Sequence, residues 1–287
     1  MYQPVIIIGA ARSGTNILRD LISQFPGAGT WPCDEINYIW RYGSRHHPTD
    51  ELPRSLANSK AKRYIRDEFA RLSRKGNLTH VVEKTCANSL RVSFVDRIFP
   101  EAKYVQIVRD GRDVVASAMK RWVAPLDIPY VLAKARFIPI SHLAFYASRY
   151  LSNRLHKIAS NNKQLASWGP RFQGMEEMVR SKSLEEVCAV QWARSVQKSG
   201  QAFSKMELGR YITIRYEDFV SNAVSEMGKI GRFLGISLKP KAIGNMVCSV
   251  SDRSVGRWQR DLDQNAVGRI MPHISPTLKK YGYLQEE

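Results

Sequence analysis

Near the start of the chain, Gly9-Ala10-Ala11-Arg12-Ser13-Gly14-Thr15-Asn16 gathers residue types that bind an oxyanion. Gly9 and Gly14 have the spacing of a nucleotide phosphate loop, which would continue with Lys and then Ser or Thr. Thr15 stands where that lysine would be. Backbone N–H groups opening a helix still form an anion cradle, and glycines let the anion approach closely. Arg12 supplies positive charge, with Ser13, Thr15 and Asn16 as further donors. Without the lysine that reaches a γ-phosphate, a nucleoside triphosphate fits poorly. A 5′-phosphate carrying another anion fits better.

A second anion site is written about a hundred residues on. Arg109-Asp110-Gly111-Arg112-Asp113 follows the apolar run Lys103–Val108, and Ser117 lies on the helical pattern after it. Open α/β sheets bind ligands at the carboxyl ends of their strands, where Arg109 falls. Asp113 reads as a helix N-cap, and Asp110 and Asp113 as buttresses for the arginines. An ordinary ATP site does not require two such loops.

Candidates for moving a proton are fewer. Asp34 and Glu35, in Cys33-Asp34-Glu35, follow the first helix, and Lys84, in Val81-Val82-Glu83-Lys84-Thr85, ends a short strand. Either carboxylate can serve as general base; a positioned base contributes ~10²–10⁴-fold. His46, His47 and His80 are the competing bases. The tandem His46-His47 has no further ligands at metal spacing, so no metal is expected.

These residues need a frame. Val5–Ile8 is a short β-branched run of the buried parallel-strand type, followed by Ile17, Leu18, Leu21, Ile22 and Phe25 at helical spacing. Further strands are expected at His80–Val82, Lys103–Val108 and Tyr211–Ile214. Helices are expected at Lys60–Arg74, Leu90–Phe99, Val114–Trp122, Ser183–Met206 and Val220–Leu234. Ser183-Leu184-Glu185-Glu186 is a capping-box signature, and Gly235 a good C-cap. The alternation predicts an α/β fold, a three-layer α/β/α arrangement around a parallel sheet. Pro32–Leu56 reads as a long loop. About 123–175 reads as a basic helical insertion or lid within one domain spanning 1–287; nine Lys/Arg against three Asp/Glu over 121–180 give it roughly +6.

Composition narrows the class. The 287 residues are 44% hydrophobic and 24% charged, enough to bury a sizeable core without disulfide or metal staples. No apolar run approaches the ~20 residues of a membrane span. Lys and Arg total 44 against 26 acids, a net charge of +18 that favours anionic partners. Cys33, Cys86, Cys188 and Cys248 are scattered, with neither zinc nor disulfide spacing, and the N-terminus shows no secretion signal. Reduced thiols in a cytoplasm are the expectation.

The first loop resembles the 5′-phosphosulfate loop of sulfotransferases that use 3′-phosphoadenosine 5′-phosphosulfate (PAPS), typically Pro-Arg-Ser-Gly-Thr-Thr. Ala11 replaces the proline, and Asn16 replaces the last hydroxyl while keeping a donor. Val108-Arg-Asp-Gly-Arg-Asp113 with Ser117 is similar to the same family's 3′-phosphate motif. Ser254-Val255-Gly256-Arg257-Trp258 resembles its loop that closes over the nucleotide, and Gln191-Trp192 and Tyr211–Asp218 resemble further segments. Cys33-Asp34-Glu35 resembles the Cys-Gly-Glu of the tyrosylprotein branch, whose glutamate is the base, and Glu83-Lys84-Thr85 the family's lysine element.

The resemblance implies a P-loop NTPase-like fold and PAPS as cofactor, with 3′-phosphoadenosine 5′-phosphate (PAP) as product and no metal. It implies cofactor contacts from Arg12, Ser13, Gly14, Thr15, Asn16, Arg109, Ser117, Ser254, Gly256, Arg257 and Trp258. Glu35 would be the base, with Asp34 the alternate, and Lys84 and Arg12 would stabilise charge; Trp192 is core or adenine wall. The acceptor is a hydroxyl or amine on an acidic glycan, a peptide, a lipid-linked sugar or a small alcohol. Peripheral membrane contact stays open. The rival readings are a P-loop-type small-molecule or sugar kinase and a basic nucleic-acid-binding protein. The missing lysine argues against the first. For the second, no nucleic-acid-binding motif is present, so no specific nucleic-acid partner is expected.

Overall fold

The computed structural model describes residues 2–125 and 167–285. Most of the segment read as an insertion, about 123–175, lies outside the described residues. Five strands form one sheet: β1 (Gln3–Ile8), β2 (Ala28–Gly29), β3 (His80–Lys84), β4 (Lys103–Val108) and β5 (Tyr211–Arg215). Their order is β2-β3-β1-β4-β5, and every pairing is parallel. The α/β architecture expected from the alternation of patterns is therefore the one observed.

Strand β1 shows why its sequence is apolar throughout. Val5 and Ile7 face one layer, with Leu18 and Ile22 of α1 (Thr15–Ile22), while Ile6 and Ile8 face the other. That second layer holds Ile65 and Phe69 of α3 (Ser59–Gly76) and Val95 and Ile98 of α4 (Val92–Ile98). Both sides of the strand are buried, so β-branched residues satisfy both. A third cluster lies among α5 (Gly111–Trp122), α7 (Leu184–Phe203) and α12 (Gln264–Lys280).

Register sets the site. Ile7 pairs with Lys84, and Ile8 with Gln106, so β1, β3 and β4 all run out at one edge of the sheet. The chain leaves β1 towards β2 and β3 on one side, and returns to β4 and β5 on the other. The loop after β1 thus lies at the switch point, the usual ligand crevice of such sheets.

Some elements depart from expectation. Pro32–Leu56 contains a helical turn, α2 (Asn37–Trp40), and a 3-10 turn at Arg54–Leu56, because Ile36, Ile39, Trp40 and Leu52 are buried against α3 and α4. The helix expected at Leu90–Phe99 is preceded by a 3-10 turn at Cys86–Leu90. The pattern at Val220–Leu234 divides between α8 (Tyr216–Ser221) and α9 (Ala223–Leu234). The short helices α6 (Met175–Ser181), α10 (Pro240–Met246) and α11 (Trp258–Asp261) complete the described set. The capping box at Ser183 forms, and Gly235 ends α9 at φ 76°.

Candidate active site

The loop after β1 is tight for reasons its glycines explain. A Cβ on Gly9 would come within 2.8 Å of the Ile107 carbonyl oxygen. Gly14 has φ 86°, and a Cβ there would lie 2.5 Å from the Tyr216 ring. Arg12 also has a left-handed backbone, at φ 74°. That conformation costs a non-glycine residue about 1–2 kcal/mol. Such strain concentrates at ligand sites. It accompanies an Arg12 side chain that reaches α5, where Nε donates to Ser117 Oγ at 2.9 Å. The first N–H groups of α1 have no intrahelical acceptor. Ser13 is fully buried, and its hydroxyl has no hydrogen-bond partner among the described residues.

Arg109 joins this loop to the one near the C-terminus. Its guanidinium donates to the Arg12 carbonyl at 3.2 Å and to the Ser254 carbonyl, and it lies 4.5 Å from the Tyr216 ring centre. Tyr216 and Ser254 share a hydroxyl hydrogen bond of 2.8 Å. The Arg109 Nε is buried and has no hydrogen-bond partner among the described residues. Burial lowers the Arg12 pKa, and the neighbouring charges of Arg121 and Arg109 lower it further. Three guanidiniums that repel one another across a cleft form a site for an anion.

Asp113 is not the expected N-cap, although Asp110 and Asp113 each pair with an arginine as expected. Asp110, directly before α5, is the N-cap and accepts from Arg112 N at 2.9 Å. Asp113 lies within the first turn, where its carboxylate accepts the backbone N–H groups of Gly256 (2.8 Å) and Trp258 (2.9 Å). It also stands 3.5 Å from Arg109. Trp192 is core: its ring packs against Gly111, and its indole N–H donates to the Arg109 carbonyl at 3.2 Å. The Arg112 guanidinium stacks 4.3 Å from the Trp258 ring centre.

Across the cleft, Lys84 is buried at the end of β3. Its ammonium donates to Glu35 Oε1 at 2.9 Å and to Asp34 Oδ1 at 3.3 Å. The Cys86 N–H also reaches Glu35 Oε1, at 3.2 Å, and Arg19 of α1 holds Asp34 at 3.1 Å. Burial works against the Lys84 charge, but Cys86, Glu35 and Asp34 outweigh it and raise its pKa. The ammonium is therefore a fixed positive charge. Burial, helped by Glu35, pushes the Cys86 thiol up to about 12, which leaves it a poor nucleophile.

The two loops and the lysine–carboxylate group border one cleft of about 990 Å³. Arg12, Gly14, Thr15, Asn16, Asp34, Glu35, Lys84, Arg109, Ser117, Ser254 and Arg257 line it. Ser13, Gly256 and Trp258 do not, and neither do His46, His47 or His80. His80 instead contacts the Leu234 carbonyl at 3.3 Å, and His47 the Thr49 carbonyl at 3.0 Å. Sequence reasoning missed Arg121, which lines the cleft one helical turn beyond Ser117; that i, i+4 spacing was its signal. It also missed Asn37, Arg41, Asp50 and Arg171, which no local pattern marks. Among the described residues, no group of His, Cys, Asp or Glu is placed to hold a metal, and no helix is long and apolar enough to cross a membrane.

A family model described as the sulfotransferase family matches residues 4–157 and 152–240. The chain belongs to the sulfotransferase family. It is thus an enzyme of sulfuryl transfer, and the kinase and nucleic-acid readings give way. Sulfotransferase STF9 from Mycobacterium avium aligns at TM-score 0.56 and 13% identity, over 97% of this chain and 76% of that one. A sulfotransferase domain from the curacin biosynthetic pathway aligns at 0.55 and 13%, over 96% and 98%. Mouse sulfotransferase SULT7A1, complexed with PAP, aligns at 0.52 and 14%, over 97% and 89%. At these identities the likeness is one of fold. A search of curated proteins finds no match.

Proposed function

We propose that this sulfotransferase takes its sulfuryl group from PAPS and gives it to a hydroxyl or amine acceptor, with Glu35 as general base. The observation that carries the reading is the convergence of two arginine-bearing loops and a lysine–carboxylate pair on one cleft. PAP in the mouse relative supports the nucleotide. The residues fit such a donor: Ser13 Oγ and Arg109 Nε are buried polar atoms with no partner among the described residues, and Gly14 leaves no room for a side chain.

Arg12, Thr15, Asn16 and the N–H groups opening α1 would hold the phosphosulfate. Arg109 and Ser117 would hold the 3′-phosphate, with Arg257 at the rim; Gly256 and Trp258 act from behind, through the loop that Asp113 fixes. When bound, PAPS supplies an activated sulfuryl group. The chain's own residues then do three things: Glu35 accepts the acceptor proton, Lys84 offsets charge at the leaving oxygen, and Arg12 offsets charge at the equatorial oxygens. Preorganised charge of this kind is usually the largest catalytic contribution. A carboxylate at the edge of a cleft also leaves room for a bulky acceptor, whether acidic glycan, peptide, lipid-linked sugar or small alcohol. No disulfide joins the four cysteines, which supports a reducing, cytoplasmic setting. One sulfotransferase domain over 1–287 is the organisation we assign. Calorimetry with PAP and with AMP tests the reading: PAP binds far more tightly, and equal affinities would remove the 3′-phosphate site.

A further inference from the structure

Glu83 and Lys84 are neighbours in β3 but serve different surroundings. Lys84 meets Glu35 in the cleft. Glu83 is turned into a polar cluster behind it, where Oε2 accepts from the Asn88 side chain at 3.0 Å and Oε1 from Thr85 Oγ at 2.5 Å. Asn88 in turn accepts from Arg91 Nε at 2.8 Å, and Arg91 Nη2 donates to the Asn37 side chain at 2.6 Å. Asn37 stands two residues after Glu35. The same two segments, the end of β3 and residues 34–37, are therefore tied twice. One tie is in the cleft, and the other is hidden behind it at Arg91 and reaches the cleft through Asn37.

The hidden tie runs through a guanidinium with no solvent exposure. Asp50 lies 3.6 Å from it and is shared with Arg41, at 2.9 Å. Stability alone is a weak reason to bury such a group, since an apolar residue of similar volume usually serves as well. Geometry is a better one. Residues 31–36 have no regular secondary structure, so side chains must place Glu35. The contacts of Glu35 with Lys84 and the Cys86 N–H are strong while it is a carboxylate and weaken once it is protonated. The path through Asn88, Arg91 and Asn37 is made of hydrogen bonds among those side chains, and the charge of Glu35 acts on the Arg91 guanidinium as well.

We infer that Arg91 is a positioning residue, holding Glu35 in register with Lys84 through Asn37 while the carboxylate gains its proton. This rests on Glu35 being the base, as proposed above.

The test uses the full chain in two variants, Arg91→Lys and Asn37→Ala. The second removes the loop-side link, together with the Asn37 donation to Asp50 at 3.3 Å, so it reads the same contact should Arg91→Lys fail to fold. Amide hydrogen exchange reports placement without any turnover. The Cys86 amide and those of residues 34–37 are expected to exchange at least tenfold faster, with β1 and β4 unchanged. With PAPS and water as acceptor, PAP release should show kcat falling at least tenfold and KM for PAPS constant within twofold. Unchanged exchange at residues 34–37 in a folded variant would overturn the inference, as would unchanged kcat despite faster exchange. Failure of the wild-type protein to bind PAP would strike the donor reading instead and leave the exchange result standing.

Discussion

Arg12 Nε and Ser117 Oγ, 105 residues apart in the chain, meet at 2.9 Å. The contact joins the loop after β1 to the helix after β4, and Arg109 closes the triangle through the Arg12 carbonyl at 3.2 Å. The two anion loops are one electrostatic unit, and removing either arginine disturbs both. Arg12→Ala and Arg109→Ala should each weaken PAP binding by about 1.5–3 kcal/mol, the scale of a hydrogen bond to a charged group. Arg12→Ala should also slow transfer. Calorimetry decides: full affinity in Arg109→Ala would remove that arginine from the nucleotide site.

The turn at Gly14 gives a second prediction. Alanine there would carry φ 86° and a Cβ 2.5 Å from the Tyr216 ring, beneath the Arg109 guanidinium. Tyr216 must shift, and Arg109 and Ser254 with it. Gly14→Ala should cost about 1–3 kcal/mol of stability. It should also weaken PAP binding. A melting temperature and affinity equal to wild type would show that the turn tolerates a side chain.

What was legible in the sequence was local. The run Val5–Ile8 and the arginines of both loops announce themselves because strand, turn and helix N-terminus follow one another within about a dozen residues. What stayed hidden depends on distance or on an exception. Asp113 accepts from Gly256 and Trp258, more than 140 residues away, and nothing around Asp113 encodes that. Helix α12 contains Pro272 and Pro276, which argue against a helix locally. Ala266, Ile270, Ile274 and Leu278, one buried residue per turn, override them. Arg91 looks like any surface arginine until Asn37 and Asp50 fold over it.

Burial of Glu83 carries a pH signature. Its side chain is fully buried, which raises its pKa from 4.5 to about 7, with Thr85 opposing the rise. The folded state therefore binds a proton that the unfolded chain releases near pH 4.5. Stability from this group is complete below that value and is lost as pH climbs towards 7, on the order of 3 kcal/mol. Urea unfolding at pH 5 and pH 8 should show a decline in the wild type that Glu83→Gln flattens. An equal decline in the variant would assign it to another group.

Glu35 carries the mechanism. Glu35→Gln keeps the size of the side chain and an oxygen for the Cys86 N–H, but deletes basicity. PAP affinity should stay within about twofold, since the residue lies across the cleft from both arginine loops. Turnover should fall by roughly 10²-fold or more, the scale of a lost general base. Asp34→Asn should cost much less, because Arg19 already holds that side chain at 3.1 Å and its part is to steady Lys84. The comparison needs an acceptor, found by offering PAPS with glycans, peptides and small alcohols and reading the mass shift. If Asp34→Asn proves the more damaging, the base moves to Asp34. Near-normal turnover in both variants would end the carboxylate mechanism.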